Sequence, residues 1–141
     1  MISADELWQF SELHYARPGV AGACIELQDE HGANVNLLLL LLLLEERGLT
    51  LNIAPFLPLL EQRRGLFEHW RALRRRLKAQ LEADDYAQLL QHELELERWQ
   101  QQELLLVLAS HPPRPGSGAL LTYLNLLPVA DAPLWQLKLA G

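Results

Sequence analysis

Eight consecutive leucines, Leu37 to Leu44, constrain this chain more than any other stretch. Leucine is a good helix former, and at 3.6 residues per turn an octet covers every face of a helix. A helix that is apolar all round has to be buried in a core or in a membrane. The run is far shorter than the ~20 apolar residues needed to cross a bilayer, and Glu45, Glu46 and Arg47 follow it directly. The leucine segment is therefore expected as a central helix wrapped by its neighbours along the chain, with no membrane association.

The flanking sequence supplies the wrapping. Ser3-Ala4-Asp5-Glu6 has the form of a capping box, which starts a first helix over about Ala4 to Ala16. Arg17-Pro18-Gly19 breaks it, and Pro18 suits the first turn of a second helix that Gly32 stops. Asn34 is a natural N-cap for the leucine helix, which Gly48 ends. Leu49 to Pro58 reads as a loop, because its faintly strand-like Leu-Thr-Leu-Asn-Ile segment has no evident partner. A long helix over about Leu59 to Leu81 follows, with Leu59, Leu66, Trp70, Leu73, Leu77 and Leu81 in one sector turned to the core. Another runs from Asp84 and Asp85 to about Leu108.

His111 to Gly118 is rich in Pro and Gly and reads as a linker. Beyond it a short helix, Ala119 to Leu127 with Ser117 as its cap, precedes an apolar tail. The expected fold is all-α: a compact bundle of five main helices plus a short C-terminal helix around the leucine helix. Residues 1–110 form the core domain, 111–118 the linker, and 119–141 a segment that docks back.

Composition narrows the function classes. A chain of 141 residues can bury a full core without disulfides or metals. The net charge of −6 excludes a protein that binds polyanions over its whole surface, yet seven of the twelve Lys and Arg lie between Arg63 and Lys78. Cys24 is the single cysteine, so no intrachain disulfide or cysteine metal cluster forms, and it reads as inert packing. The start of the sequence has no basic-then-apolar leader, which together with the lone cysteine makes a cytoplasmic location the expectation. None of the five histidines forms a His-x3-His or His-Glu-x2-His spacing, so no metal site is expected. No serine-hydrolase elbow, P-loop or dinucleotide fingerprint occurs, so neither catalytic residues nor a cofactor are assigned.

Several phrases, among them Trp8-Gln9-Phe10-Ser11, Tyr15-Ala16-Arg17-Pro18-Gly19-Val20, His31-Gly32-Ala33-Asn34-Val35-Asn36-Leu37-Leu38 and Trp70-Arg71-Ala72-Leu73-Arg74-Arg75-Arg76, resemble a small proteobacterial family known only as a domain of unknown function. The likeness runs roughly from Leu7 to Arg98. It implies a bacterial, helical, cytoplasmic protein and brings no activity with it. It also implies gene neighbourhoods holding an ABC-F-type ATPase, a candidate partner. Members of that family often interrupt the leucine run. This chain does not, so the resemblance carries no pocket beside that helix.

Two groups of residues are candidates for function. At 100° per residue Arg64, Arg71, Arg75 and Lys78 share one helical stripe, with Arg74 at its border. The leading expectation is a non-enzymatic protein–protein interaction or adaptor domain that docks through this basic helix, with Trp99 and Leu106 as a second patch. A nucleic-acid or ribosome-associated factor using the same stripe is the alternative. The bland reading is internal pairing, with Glu93 and Glu97 of the next helix as partners if the two helices are antiparallel neighbours. The second group is Tyr15, Arg17, Asp29, His31 and Asn36, which would serve a small-ligand or enzymatic site only if they converge in a pocket. Caps and turns account equally for residues of these types.

Overall fold

The computed structural model describes residues 1–141. It holds seven α-helices and one two-residue ribbon: α1 (Ala4–Tyr15), α2 (Val20–His31), α3 (Val35–Glu46), β1 (Leu49–Thr50), α4 (Leu57–Leu77), α5 (Ala83–Ser110), β2 (Arg114–Pro115), α6 (Ala119–Leu126) and α7 (Ala132–Ala140). A single 3-10 turn, Ala54–Phe56, leads into α4. No helix is long and apolar enough to cross a membrane.

The leucine helix lies at the centre. The Asn34 side chain caps it, accepting from the Leu37 amide at 2.9 Å. Every residue from Asn36 to Leu44 is buried. α1, α2, α5 and α6 all pack on it, and eight leucines at roughly 1.5–3 kcal/mol each supply the main apolar driving force. The capping box at Ser3 and Glu6 forms as the sequence implies. Gly32 turns left-handed at φ 74° to stop α2, where the amide of Ala33 returns to the Leu27 carbonyl at 3.0 Å. Pro18 stands outside α2, which begins at Val20 behind the left-handed Gly19.

Three expectations need correction. The Leu49-Thr50 stretch is not an unpaired loop. It pairs antiparallel with Arg114-Pro115, inside the segment read as linker, with Leu49 opposite Pro115 and Thr50 opposite Arg114. The Gly116 amide extends this ribbon by donating to the Gly48 carbonyl at 2.9 Å.

Beyond the ribbon there are two short helices, not one. α6 starts behind left-handed Gly118 without a cap from Ser117, and its Gly118 amide donates instead to the Glu45 carboxylate at 2.8 Å. The tail forms α7, capped by Asp131. Leu120, Tyr123 and Leu124 of α6 and Trp135 and Leu139 of α7 belong to the same apolar core as α3. The last carbonyls of α7 are taken up by α1 and the turn after it: His14 Nε2 donates to the Leu139 carbonyl at 2.6 Å and Arg17 to that of Ala140 at 3.2 Å.

Finally, the apolar sector of α4 does not rest on the core. Leu66 is 45% exposed, Leu59, Trp70, Leu73 and Leu77 are half-buried, and Leu81 lies half-buried in the turn beyond the helix. The core contains no residue between Leu60 and Leu104, and no residue from 68 to 99 is buried. α4 and α5 therefore form an antiparallel hairpin rooted in the body at one end, whose outer half adds no residue to the core and meets the body through the Arg75–Asp29 pair.

Candidate functional site

The basic stripe lies on this hairpin, and most of it is paired. Arg63 meets Glu103 through two hydrogen bonds, at 2.9 and 3.1 Å, and lies 5.0 Å from the Trp99 ring centre. Arg64 pairs with Glu61 at 3.1 Å and leans toward the Gly32 carbonyl. Arg75 reaches both oxygens of Asp29 on α2 at 3.1 and 3.2 Å. Arg74 Nε stands 2.7 Å from the Glu93 carboxylate, but its N–H is not aimed along that line, so the contact is ionic more than directional. Lys78 sits over the Tyr86 ring at 6.0 Å. Arg71 and Arg76 make no ion pair. Trp99 is partly open at 37% and Leu106 is 71% exposed.

Where the hairpin joins the body, a cleft of about 370 Å³ opens between α1, α2, the start of α3, α4 and α5. Its floor is polar. The Asn36 amide nitrogen donates to Glu97 Oε2 at 2.6 Å and to Gln100 Oε1 at 2.8 Å. Gln101 Nε2 donates to Asn36 Oδ1 at 3.2 Å and to Ser11 Oγ at 2.9 Å. Asn34 joins through Gln100 at 3.1 Å, and its backbone amide donates to the Tyr123 hydroxyl at 2.9 Å. This chain of bonds locks the entry of the leucine helix against α1, α5 and α6. Burial pushes the Glu97 carboxyl above its ordinary range, against the opposing pull of its Asn36 bond and of Arg71. Burial likewise raises the Tyr15 phenol.

Of the five residues proposed to converge, only Tyr15 and Asn36 line this cleft. Asp29 is spent on Arg75. His31 lies edge-on to Trp135 at 5.8 Å, and Arg17 holds the end of α7. The reason is helical phase: side chains at Asp29 and His31, two residues apart, point in different directions. Glu26, Glu30 and His31 do come together on the outer side of α2, where their donor atoms lie within 4.8 Å of one another. Cys24 is buried, and burial pushes its thiol up to about 12, which suits packing and not nucleophilic attack.

Trp8, Ser11, Arg71, Gln100 and Gln101 complete the cleft and its floor; of these only Arg71 stands out in the sequence, and then for its charge. A signal was present for the glutamines. Glu97 and Gln101 fall on the same α5 face as the buried Leu104 and Leu108, so polar residues interrupt an apolar stripe. Trp70 is half-buried and not a core anchor, and its indole N–H is buried without a partner.

A sequence profile described as "Protein of unknown function (DUF2390)" matches residues 6–104. That stretch takes in α1 to α4 and most of α5, and with them the cleft. Neither a curated protein nor a solved structure matches the chain.

Proposed function

For a chain that belongs to the DUF2390 family of proteins of unknown function, we propose a non-enzymatic role as an interaction domain that docks a partner protein along the outer half of the α4–α5 hairpin. One observation supports this above the rest. From residue 68 to residue 99 no residue is fully buried, although Trp70, Leu73, Leu77, Tyr86, Leu89 and Leu90 are all half-buried along the two helices. A single pair of helices leaves the flanks of its apolar seam open to water, and packing against a further element covers them. The occupant that fits is an amphipathic helix of another protein with an acidic flank, because the open edge of α4 presents the exposed Arg76 without an ion pair and Lys78 without a carboxylate.

Nucleic-acid association fits less well. Arg64, Arg74 and Arg75 already face carboxylates, and releasing them for phosphates would leave Glu93 without its partner.

The test is affinity capture from the bacterial host followed by mass spectrometry, with the ABC-F-type ATPase as the first partner to assay in purified form. The native chain should recover a partner that Leu73→Asp/Leu90→Asp loses while its helicity stays unchanged. Adding the purified partner should slow amide exchange within residues 68–99. Equal recovery by the variant, or protection confined to other segments, would dismiss the reading.

A further inference from the structure

The hairpin carries both signs of charge, and they are sorted by helix. α4 holds six arginines against Glu61 and Glu68, a net +4, and α5 holds six carboxylates against Arg98, a net −5. One side of the hairpin faces the body: Arg71, Arg74, Glu93, Leu94 and Glu97 line the cleft toward α1 and α2. At about 100° per residue, Leu66, Leu73 and Leu77 form an α4 stripe on the side away from Arg71, and Leu96 and Trp99 point away from Glu97 on α5. None of these five lines the cleft, and Leu66 and Trp99 are exposed. By the same helical phase Arg76 borders the α4 stripe, while Asp85 and Glu95 lie to either side of the Trp99 direction. All three are exposed; Arg76 and Asp85 form no ion pair, and Glu95 has only His92 at 3.9 Å.

A two-fold axis can bring two such flanks face to face in two ways. With the axis across the helices, α4 meets α4 of the other copy, and like charges oppose each other. With the axis along the hairpin, α4 of each copy lies on α5 of the other, and opposite charges meet twice. This second arrangement keeps every residue at its own level along the hairpin. Arg63 stands opposite Glu103 and Arg74 opposite Glu93, which brings Arg76 level with the stretch between Asp85 and Glu95.

We propose that this flank pairs with the same flank of a second copy, making a four-helix bundle of two hairpins about a two-fold axis that runs along them. Arg76 of each copy meets Asp85 and Glu95 of the other, so charge complementarity sets the orientation. The leucine stripes and Trp99 close over one another and supply the further layer that one hairpin lacks. The inference rests on the reading of this flank as a docking surface. It makes the acidic α5 of a second copy the helix that occupies the flank while no other partner is bound, so pairing and docking exclude each other.

Sedimentation equilibrium of the purified 141-residue chain, between roughly 1 μM and 1 mM, should show a monomer–dimer equilibrium that salt weakens. Arg76→Glu is one variant and Asp85→Lys/Glu95→Lys the other; both change exposed side chains only. Each puts like charges at both symmetry-related contacts and should weaken pairing at least about tenfold. An equimolar mixture of the two variants should regain close to native affinity, because every contact between them joins opposite charges. The proposal fails if the native chain stays monomeric over that range, if either variant pairs as tightly as the native chain, or if the mixture pairs no better than its components. Those results leave docking intact as long as Leu73→Asp/Leu90→Asp still loses a captured partner. A dimer with the charge-reversal pattern, in a chain that captures nothing from its host, supports pairing and dismisses docking of another protein.

Discussion

Asn36 donates to Glu97 across 2.6 Å, and that bond joins the first turn of the leucine helix to the root of the α4–α5 hairpin. The same amide group also serves Gln100 and Gln101, so one side chain organises two acceptors and a donor of α5.

Asn36→Leu therefore strands the bonded oxygen of Glu97, leaves Gln100 only Asn34 and Gln101 only Ser11, and should destabilise the chain by about 2–3 kcal/mol in urea unfolding. Gln101→Met should cost less, because it removes an unsatisfied oxygen together with two bonds. A larger loss for Gln101→Met than for Asn36→Leu would show that the network is not centred on Asn36.

Leu40→Ala empties space in a helix with no exposed face and should cost about 2–5 kcal/mol. Leu106→Ala, on the outer side of α5, should stay within about 0.5 kcal/mol. Similar midpoints for the two variants in one denaturation series would contradict the central position of the leucine helix.

The pH dependence of Glu97 has a definite sign. Its carboxyl is raised in the folded chain, chiefly by burial, so the folded state holds this proton to higher pH than the unfolded state. The favourable contribution is complete below the unfolded value near 4.5 and is lost as pH rises through the raised folded value. Glu97→Gln keeps an acceptor for Asn36 and removes the titration. Its stability relative to the native chain should therefore improve as pH increases from 4 to 8. A difference that stays flat across that range, or runs the other way, would exclude burial as the dominant influence on this carboxyl.

Gly116 adopts φ 148°, and an added Cβ there would come 2.8 Å from Thr50 Cγ2. Gly116→Ala should loosen the ribbon by about 1–3 kcal/mol, read as faster amide exchange at Gly116 and Thr50. Adding Thr50→Ser removes the methyl group and should restore part of the protection. No recovery in the double variant would place the whole cost in the backbone.

Local signals made much of the fold legible. The capping residues Ser3, Glu6 and Asn34 and the terminating Gly32 act within a few positions of themselves, and the leucine octet states its own burial. The ribbon was hidden because each strand has two residues and the partner lies some sixty positions away. The outer hairpin was hidden for another reason: periodicity tells which face of a helix is apolar, not whether anything stands opposite it. In the site, the Arg74–Glu93 pair followed from antiparallel neighbours. The grouping of Arg17, Asp29 and His31 with Tyr15 and Asn36 rested on closeness along the chain, which helical phase then scattered. Gln101 is a polar residue of ordinary type, and only its neighbours give it meaning.

The ribbon has a topological consequence. Because β1 and β2 lie side by side, the 63 residues between Thr50 and Arg114 form a closed excursion that starts and ends at one seam. Whole turns could be inserted or deleted symmetrically beyond Arg75 and Glu93 without moving either strand of that seam or the contacts at the hairpin's root. The reach of the hairpin is thus an adjustable dimension: relatives could differ in span while sharing one body, as a tool keeps its handle when the blade is exchanged.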